Sequence, residues 1–368
     1  MKSELRWLGA FLIYKVFVLF VAFVALRLLM DQGPNSFSHF LDLYGRWDTK
    51  LFINTATNGY QADEPNIQNF PLYPSAIWIF HFLLGWLGVT WIWCAFLVAQ
   101  ISSFFAFLYF YRLARLDLQE HEARIALGLF AFFPTAYFLT AAYSESIFCA
   151  VLFACIFFAR KQRFALATVL ALVAVLGKFQ ALAMIPGIFL MFACRKDLRQ
   201  KRLMVGWGAV GLGACVGLLI YLVINRVVYG EFFYFIESAA RGWTMYPTWP
   251  FEKLIPLVSS YFDRAPDQRL TVVALPVLFM LIGVAGLYPI WRRRDFFDMG
   301  FALGCIYLLS TVSWWISHPR YILMIYPLFI STAGWFAAHK LRSASYLVIS
   351  GGAFIYLWST FIWGWWAF

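Results

Sequence analysis

Charge is scarce in this chain. Of its 368 residues only 13% are charged, whereas 63% are hydrophobic and 21% are aromatic. Soluble domains carry roughly 25% charged residues, and a soluble single domain has too little interior to bury so much Phe, Trp and Leu. The composition excludes a soluble enzyme. It also excludes disordered and nucleic-acid-binding proteins, which need charge-rich sequences. An integral membrane protein remains.

Several motifs of nucleotide and metal enzymes are missing as well. There is no P-loop, no HExxH, no zinc-ligand spacing and no Asp-x-Asp pair near Asp48. The six cysteines lie in or beside apolar runs without CxxC spacing, which is typical of small buried residues. The sequence therefore predicts no metal site and no obligatory cofactor. The two halves show no repeat, which argues against many transporter folds.

Long apolar runs predict an all-α polytopic membrane protein that forms one domain over residues 1–368. The first run is interpreted as an uncleaved span, because it is too long for the core of a signal peptide. About eleven spans are predicted, at 7–30, 89–111, 123–142, 145–159, 164–178, 179–194, 204–228, 271–291, 297–316, 321–338 and 345–367.

Basic residues predict the orientation. If the N-terminus lies inside and the apolar segment 72–88 does not cross, 18 of the 29 Lys and Arg residues fall inside. We therefore interpret 72–88 as an interfacial or re-entrant helix. The C-terminus is then outside, as are two large loops at 31–71 and 229–270. The membrane is expected to be a bacterial cytoplasmic membrane.

Loop 31–71 contains a predicted surface helix. In GRWDTKLFINTATNGY, the residues Trp47, Leu51, Phe52 and Thr55 fall on one helical face, and Asn58-Gly59 resembles a helix end. Such a helix would lie flat on the outer membrane surface. The prolines that follow the helix would set the direction of segment 72–88.

Two acidic residues on the external face are candidates for chemistry. Asp48 begins the predicted surface helix, where it would act as a general base or serve only as a solvated helix charge. Glu145 lies in a short turn between two apolar runs. It would contact a substrate, orient a cation, or simply stabilise the start of the following helix.

Cations near the same face are candidates for binding an anion. Lys178 interrupts an apolar stretch, where it would bind a phosphate or extend its amine to the membrane surface. In His318-Pro319-Arg320-Tyr321, the proline favours a helix start, which places Arg320 at an end that binds anions. The alternative is a contact between Arg320 and lipid phosphates.

Taken in order, these motifs resemble the PIG-V-like mannosyltransferases. The resemblance covers about 46–330 and rests on RWD at 46–48, NGY at 58–60, FPLYP at 70–74 and FPTAYFLTAAYSES at 133–146, with weaker matches at GKFQAL (177–182) and HPRY (318–321). Relatives more usually carry Arg where this chain has Lys178. The chain is similar to compact prokaryotic members, so a glycosylphosphatidylinositol acceptor is not expected.

The resemblance implies a GT-C fold, a polyprenyl-phosphate sugar donor and a catalytic base in the first external loop, here Asp48. An inverting hexose transfer, with mannose as the expected sugar, is therefore predicted. Arg320, Lys178 and His318 are assigned to the donor phosphate, and Arg46, Trp47, Tyr143, Glu145 and Tyr321 to binding or orienting substrate. The partners are the lipid-linked donor, a glycan, lipid or protein acceptor and the bilayer, without nucleic acid. A flippase of a lipid-linked sugar and a membrane scaffold are the alternatives.

Overall fold

The computed structural model describes residues 2–29, 34, 36–61, 68–195, 197 and 200–365. Parts of loop 31–71 thus lie outside the described residues. The chain is 78% helical, and the described residues form no strand. The α-helices are α1 (Lys2–Leu29), α2 (Phe37–Tyr44), α3 (Asp48–Asn58), α4 (Leu72–Leu84), α5 (Trp91–Asp117), α6 (Glu120–Ala131), α7 (Glu145–Arg160), α8 (Phe164–Val175), α9 (Met184–Cys194), α10 (Lys201–Tyr229), α11 (Tyr234–Trp243), α12 (Leu254–Ser259), α13 (Pro266–Gln268), α14 (Leu275–Ala285), α15 (Leu287–Arg292), α16 (Phe296–Ser310), α17 (His318–Ile322), α18 (Pro327–Ala337) and α19 (Lys340–Ile362).

The helices confirm an all-α polytopic membrane protein. Five helical stretches of the described chain are long and apolar enough to cross a bilayer: Gly9–Leu28, Trp91–Asp117, Lys201–Tyr229, Arg269–Arg292 and Lys340–Ile362. Shorter apolar helices lie between them, at Leu72–Leu87, Phe164–Val175, Phe179–Cys194 and Phe296–Ser310. Helix α5 packs on α7, α7 on α8, and α8 on α10. Short apolar helices thus pack against long ones, and each is shorter than the roughly 20 residues that a membrane span needs.

Close contact between α8 and α10 depends on glycine. A Cβ atom on Gly213 would lie 2.4 Å from the Thr168 carbonyl oxygen, and one on Gly217 would lie 2.5 Å from the Leu172 carbonyl oxygen. Neither distance is compatible with a side chain. Small residues spaced four apart let two membrane helices approach until their backbones touch. Dispersion contacts along this seam therefore hold α8 against the longer α10.

The interruption predicted near Gly177 and Lys178 is present. Helix α8 ends at Val175, Lys178 is extended with φ −165° and ψ 149°, and a 3₁₀ turn over Phe179–Ala183 leads into α9. Pro186 lies inside the first turn of α9, where its missing N–H costs nothing. Because of this break, Lys178 is not part of a helix, and its ammonium lies 3.0 Å from the Glu145 carboxylate.

The predicted span 123–142 is wrong as a continuous helix. Helix α6 ends at Ala131, and the chain continues through turns and a 3₁₀ helix at Ala136–Leu139 before α7 begins. Side chains from distant parts of the chain donate hydrogen bonds to the carbonyl groups of this segment. Lys15 Nζ lies 3.1 Å from the Leu139 oxygen. Tyr44 Oη and Gln100 Nε2 lie 2.6 Å and 2.7 Å from the Thr140 oxygen. Irregular backbone is tolerated at membrane depth where protein groups satisfy it in this way.

The surface helix predicted in loop 31–71 is present as α3, and Gly59 ends it with φ 72°. Its buried face is different from the predicted one. Thr49, Phe52, Thr55 and Ala56 are buried, whereas Trp47 and Leu51 are exposed, because α3 packs with one side on α4 and α5. Helix α4 has 13 residues, about 20 Å of rise against a hydrocarbon layer of about 30 Å, in keeping with the interfacial interpretation of 72–88.

An ion-pair network joins helix ends at the opposite end of α7 from Glu145. We call it the arginine network; it consists of Arg160, Arg293, Asp117, Asp295 and Asp298. Arg160 lies 2.8 Å from Asp117, 2.8 Å from Asp295 and 2.6 Å from Asp298, and Arg293 lies 2.9 Å from Asp117. Asp298 is fully buried and also accepts a hydrogen bond from the Tyr326 hydroxyl. The network therefore ties α5, α7, α16 and α18 together.

Replacing Arg160 by Met is expected to destabilise the protein strongly. The change leaves Asp298 buried with only Arg293 nearby, 3.5 Å away. Breaking a buried ion pair from one side typically costs about 3–5 kcal/mol. Thermal unfolding of the purified protein in detergent measures the effect, with Arg163→Met, an exposed arginine three residues later, as the control. Equal unfolding midpoints for the two variants would contradict a stabilising role for the network.

Candidate functional site

Asp48 is held at the start of α3 by contacts with residues far along the chain. Its backbone N–H donates to the Tyr143 hydroxyl at 3.1 Å, and the hydroxyl of the next residue, Thr49, donates to the Ala142 carbonyl at 3.2 Å. Trp47 precedes it with φ 49°, a left-handed conformation that is uncommon for a large side chain. These contacts and this turn fix the Asp48 carboxylate against the segment that leads into α7.

Four charged side chains meet at this point. Arg320 Nη1 lies 3.1 Å from Asp48 Oδ2, and Arg320 Nε lies 3.3 Å from Glu145 Oε1. Lys178 Nζ lies 3.0 Å from the same oxygen of Glu145. We call these residues the charge cluster. Residues up to 272 positions apart in the chain thus form one continuous row of alternating charge.

The row runs from partly exposed to buried. The side chain of Asp48 is 25% exposed, those of Lys178 and Arg320 are 12% and 9% exposed, and that of Glu145 is fully buried. Asp48 is therefore the most accessible member of the charge cluster. Glu145 contacts both cations and is also the first residue of α7.

Aromatic rings enclose the Arg320 guanidinium. Its Cζ lies 5.3 Å from the ring centre of Phe138, 5.6 Å from that of Tyr143 and 5.1 Å from that of Tyr321. The hydroxyl of Tyr321 also accepts a hydrogen bond from Nη2 at 3.1 Å, and Lys178 Nζ lies 5.3 Å from the same ring. Cation–π contacts of this kind stabilise a cation by about 0.5–2 kcal/mol each, so Arg320 is fixed in place.

The pKa of Arg320 is raised well above its usual value. Burial alone would lower it, but Tyr321, Glu145 and Asp48 surround the guanidinium and outweigh that effect. Burial raises the pKa of the Tyr143 hydroxyl, and the nearby Asp48 charge adds to the rise. Arg320 therefore stays charged and Tyr143 stays neutral at any physiological pH.

The two clefts measured in the structure lie away from the Asp48 carboxylate. One, of about 600 Å³, borders the C-terminal half of α3 and the start of α4, with Asn58, Tyr60 and Trp78 in its wall. The other, of about 690 Å³, lies at the arginine network. Neither cleft is lined by Asp48, Arg320 or Lys178.

Comparison with known proteins identifies the family. Residues 29–265 match the family model described as Mannosyltransferase (PIG-V). The chain belongs to this mannosyltransferase family. The matched region contains Asp48, Glu145 and Lys178, whereas Arg320 lies beyond it. Membership in the PIG-V family makes the chain a membrane glycosyltransferase, and no curated protein matches it.

Solved structures agree with the family at the level of fold. The oligosaccharyltransferase of Archaeoglobus fulgidus in complex with Zn and sulfate is 13% identical, with a TM-score of 0.50 over 96% of this chain and 53% of that one. The same enzyme tethered to an acceptor peptide is 11% identical, with a TM-score of 0.49, over 96% and 55%. The chain thus spans about half the length of these structures. The first likeness confirms the GT-C fold expected from the resemblance.

The remaining predicted site residues of this PIG-V family chain are spread around the charge cluster. Arg46 donates from Nε to the Ile362 carbonyl at 3.0 Å, at the end of α19. His318 is buried with its ring 4.7 Å from that of Trp315, and burial lowers the pKa of the imidazole to about 3. A neutral His318 can donate or accept a hydrogen bond but cannot contribute a positive charge to a phosphate site.

Sequence reasoning missed two residues that support the site of the PIG-V family chain. Lys15 binds the Leu139 carbonyl and the Thr140 hydroxyl, 3.1 and 2.8 Å away, and so fixes the irregular segment before Tyr143. Its position within an apolar span was the available signal, since ionisable residues inside membranes usually have a partner and a role. Phe138, which lies against Arg320, carried no such signal because aromatics are abundant throughout the chain.

Replacing Glu145 by Gln is expected to destabilise this PIG-V family chain. The change removes the carboxylate shared by Lys178 and Arg320, and leaves two buried cations with Asp48 alone. The expected loss is about 3 kcal/mol or more, the usual effect of leaving buried charge uncompensated. Thermal unfolding in detergent measures it, and Glu237→Gln is the control because Glu237 pairs with Arg241 on an exposed helix surface. An unchanged midpoint for Glu145→Gln would show that the cluster does not stabilise the fold.

Proposed function

We propose that the chain transfers a hexose, specifically mannose, from a polyprenyl phosphate to an acceptor hydroxyl, with inversion at the anomeric carbon. The family supports mannosyl transfer, and the charge cluster supports the chemistry. The observation that carries the proposal is the contact of Arg320 with the accessible carboxylate of Asp48, 3.1 Å away. This pair places a proton acceptor beside a permanent cation.

The proposed reaction is a single displacement. Asp48 removes the proton of the acceptor hydroxyl as its oxygen bonds to the anomeric carbon. The bond between that carbon and the phosphate oxygen breaks, and its electron pair leaves with the polyprenyl phosphate. A phosphate is a good enough leaving group that no acid is needed to protonate it, so one carboxylate suffices.

Arg320 and Lys178 are proposed to bind the donor phosphate. The charge cluster is neutral overall, with two carboxylates and two cations. During transfer the phosphate gains one negative charge while Asp48 loses one on taking the proton. The total charge of the enclosed site is thereby constant, and fixed cations next to the leaving oxygen would stabilise the transition state without reorganisation.

The neighbouring residues are proposed to orient these groups. Tyr143 and Tyr321 fix the first turn of α3 and the Arg320 guanidinium, respectively, through the hydrogen bonds described above. Arg46 anchors the turn that contains Trp47, whose side chain is 39% exposed and is proposed to contact a sugar ring. His318, being neutral, would supply a hydrogen bond to the donor phosphate.

We propose that the reaction occurs on the external face and needs no bound metal. The orientation follows from the basic residues at the opposite helix ends. In the described part of the chain, the one group of three acidic side chains with metal-ligand spacing is Asp117, Asp295 and Asp298. It belongs to the arginine network, where all three carboxylates pair with Arg160 or Arg293, and not to the charge cluster.

Reconstituted protein tests the proposal. Vesicles with the purified chain receive polyprenyl-phosphate mannose with a labelled sugar and a membrane extract as the acceptor source. The expected result is labelled product in equal amounts with and without a chelator, and no product from polyprenyl-phosphate glucose. Transfer directly from a nucleotide sugar would contradict the donor assignment, and labelled donor carried across the bilayer without product would favour the flippase.

A further inference from the structure

The cleft of about 690 Å³ at the arginine network is not explained by sugar transfer. Helix ends surround it, and its wall includes Arg195, Arg294, Phe192, Leu203 and Trp207. The charge cluster is far away, since the cleft borders Arg160 at one end of α7 and Glu145 begins the other end. Sixteen residues of helix separate the two by about 22 Å.

Two arginines in this cleft are available to an anion. Arg160 and Arg293 are committed to Asp117, Asp295 and Asp298. Arg294, by contrast, is exposed, and it forms no ion pair with any residue that the structure describes. Among the described residues, Arg195 pairs with Asp197 through two contacts of 2.9 and 2.7 Å, and both side chains are about half exposed. Because solvent screens an exposed pair, we expect an anionic ligand to compete with Asp197 for Arg195.

The rest of the cleft is apolar. Phe192 comes from the last turn of α9, and Leu203 and Trp207 come from the first two turns of α10. Trp207 is largely buried, with its ring 4.9 Å from that of Phe297. The cleft thus combines exposed arginines at its rim with an apolar wall, which is the combination that a phospholipid phosphate and the start of its acyl chains require.

We propose that this cleft binds the phosphate of an anionic phospholipid from the inner leaflet. The guanidinium groups of Arg195 and Arg294 hold the phosphate oxygens, and an acyl chain follows Phe192, Leu203 and Trp207. Basic pockets between membrane helices on the cytoplasmic side suit such head groups. A free phosphate ion would satisfy the arginines but leave the apolar wall without a ligand. The cleft volume is within the usual range of small-molecule sites.

Native mass spectrometry of the whole protein tests the proposal. Protein in micelles that contain equal amounts of phosphatidylglycerol and phosphatidylcholine is expected to retain phosphatidylglycerol preferentially. The double variant Arg195→Ala/Arg294→Ala should bind it roughly 5- to 30-fold more weakly, since each basic residue near an anionic surface contributes about 1 kcal/mol. Inorganic phosphate, added alone at millimolar concentration, should not displace the lipid.

The control is Arg163→Ala/Arg292→Ala, which removes the same charge from exposed residues at the same bundle end without altering the cleft lining. Its lipid binding should match that of the wild type. Gln162→Glu, which adds a negative charge to the cleft wall, should weaken binding while all arginines remain. Any of three results would overturn the proposal. These are an equal loss of lipid binding in the control variant, equal retention of phosphatidylcholine and phosphatidylglycerol, and displacement of the bound lipid by inorganic phosphate.

Discussion

Asp48→Asn is expected to reduce mannosyl transfer by roughly 10²- to 10⁴-fold, the usual contribution of a general base. The amide is nearly the same size as the carboxylate but cannot accept the proton of the acceptor hydroxyl. Stability should change little, because Arg320 keeps its contact with Glu145 and the Asp48 side chain is partly exposed. The measurement is labelled-mannose transfer in reconstituted vesicles, with the thermal unfolding midpoint recorded in parallel.

The matched control is Asp42→Asn, an exposed aspartate on α2 in the same loop. It should transfer mannose at the wild-type rate, which would show that the loss depends on position and not on charge in the loop. Asp48→Glu should retain part of the activity, since it keeps the carboxylate at a displaced position. An Asp48→Asn protein with more than half the wild-type rate would exclude Asp48 as the base.

The second large effect is expected from Arg320→Ala, which should reduce transfer roughly 10²- to 10³-fold, as removal of a fixed group next to a developing negative charge does. Arg320→Lys keeps the charge but loses the planar fork and most of the stacking against the surrounding rings. The loss of transfer activity in Arg320→Lys should therefore be intermediate, and the KM for the polyprenyl-phosphate donor should rise clearly.

Two observations would distinguish a loss of catalysis in the Arg320 variants from a loss of folding. Glu145 keeps Lys178 as its partner in both Arg320 variants, so the fold should survive at reduced stability. Arg241→Lys, at an exposed ion pair on α11, provides the control. Wild-type transfer by Arg320→Ala, in protein that unfolds at the normal temperature, would remove Arg320 from the site.

Local sequence signals predicted helix ends well where residues with special backbone preferences interrupt an apolar run. Asn58-Gly59 ends α3 as expected, and the interruption at Gly177 and Lys178 separates α8 from the next 3₁₀ turn. The prediction failed at 123–142 because apolar composition alone cannot show that a backbone is irregular. The bonds that stabilise this segment come from Lys15, Tyr44 and Gln100, all distant in sequence.

The sequence indicated the members of the charge cluster better than their arrangement. Asp48, Glu145, Lys178 and Arg320 stood out because a charge is unusual beside long apolar runs. The contact of Glu145 with both cations depends on how α7, α17 and the break at 177–178 pack together. No local sequence pattern specifies that packing. The helical face of α3 was likewise decided by the packing of α3 on α4 and not by its own periodicity.

The order of the charge cluster along the chain has a consequence for its synthesis. Asp48 leaves the ribosome first, and Arg320 follows 272 residues later. At about 5–20 residues per second this interval lasts roughly 15–50 s. Once Lys178 has been made, Glu145 has a cation to pair with, whereas Asp48 still lacks the guanidinium that it contacts in the folded protein. The nascent chain therefore completes its charge cluster only after α17, which carries Arg320, has been synthesised.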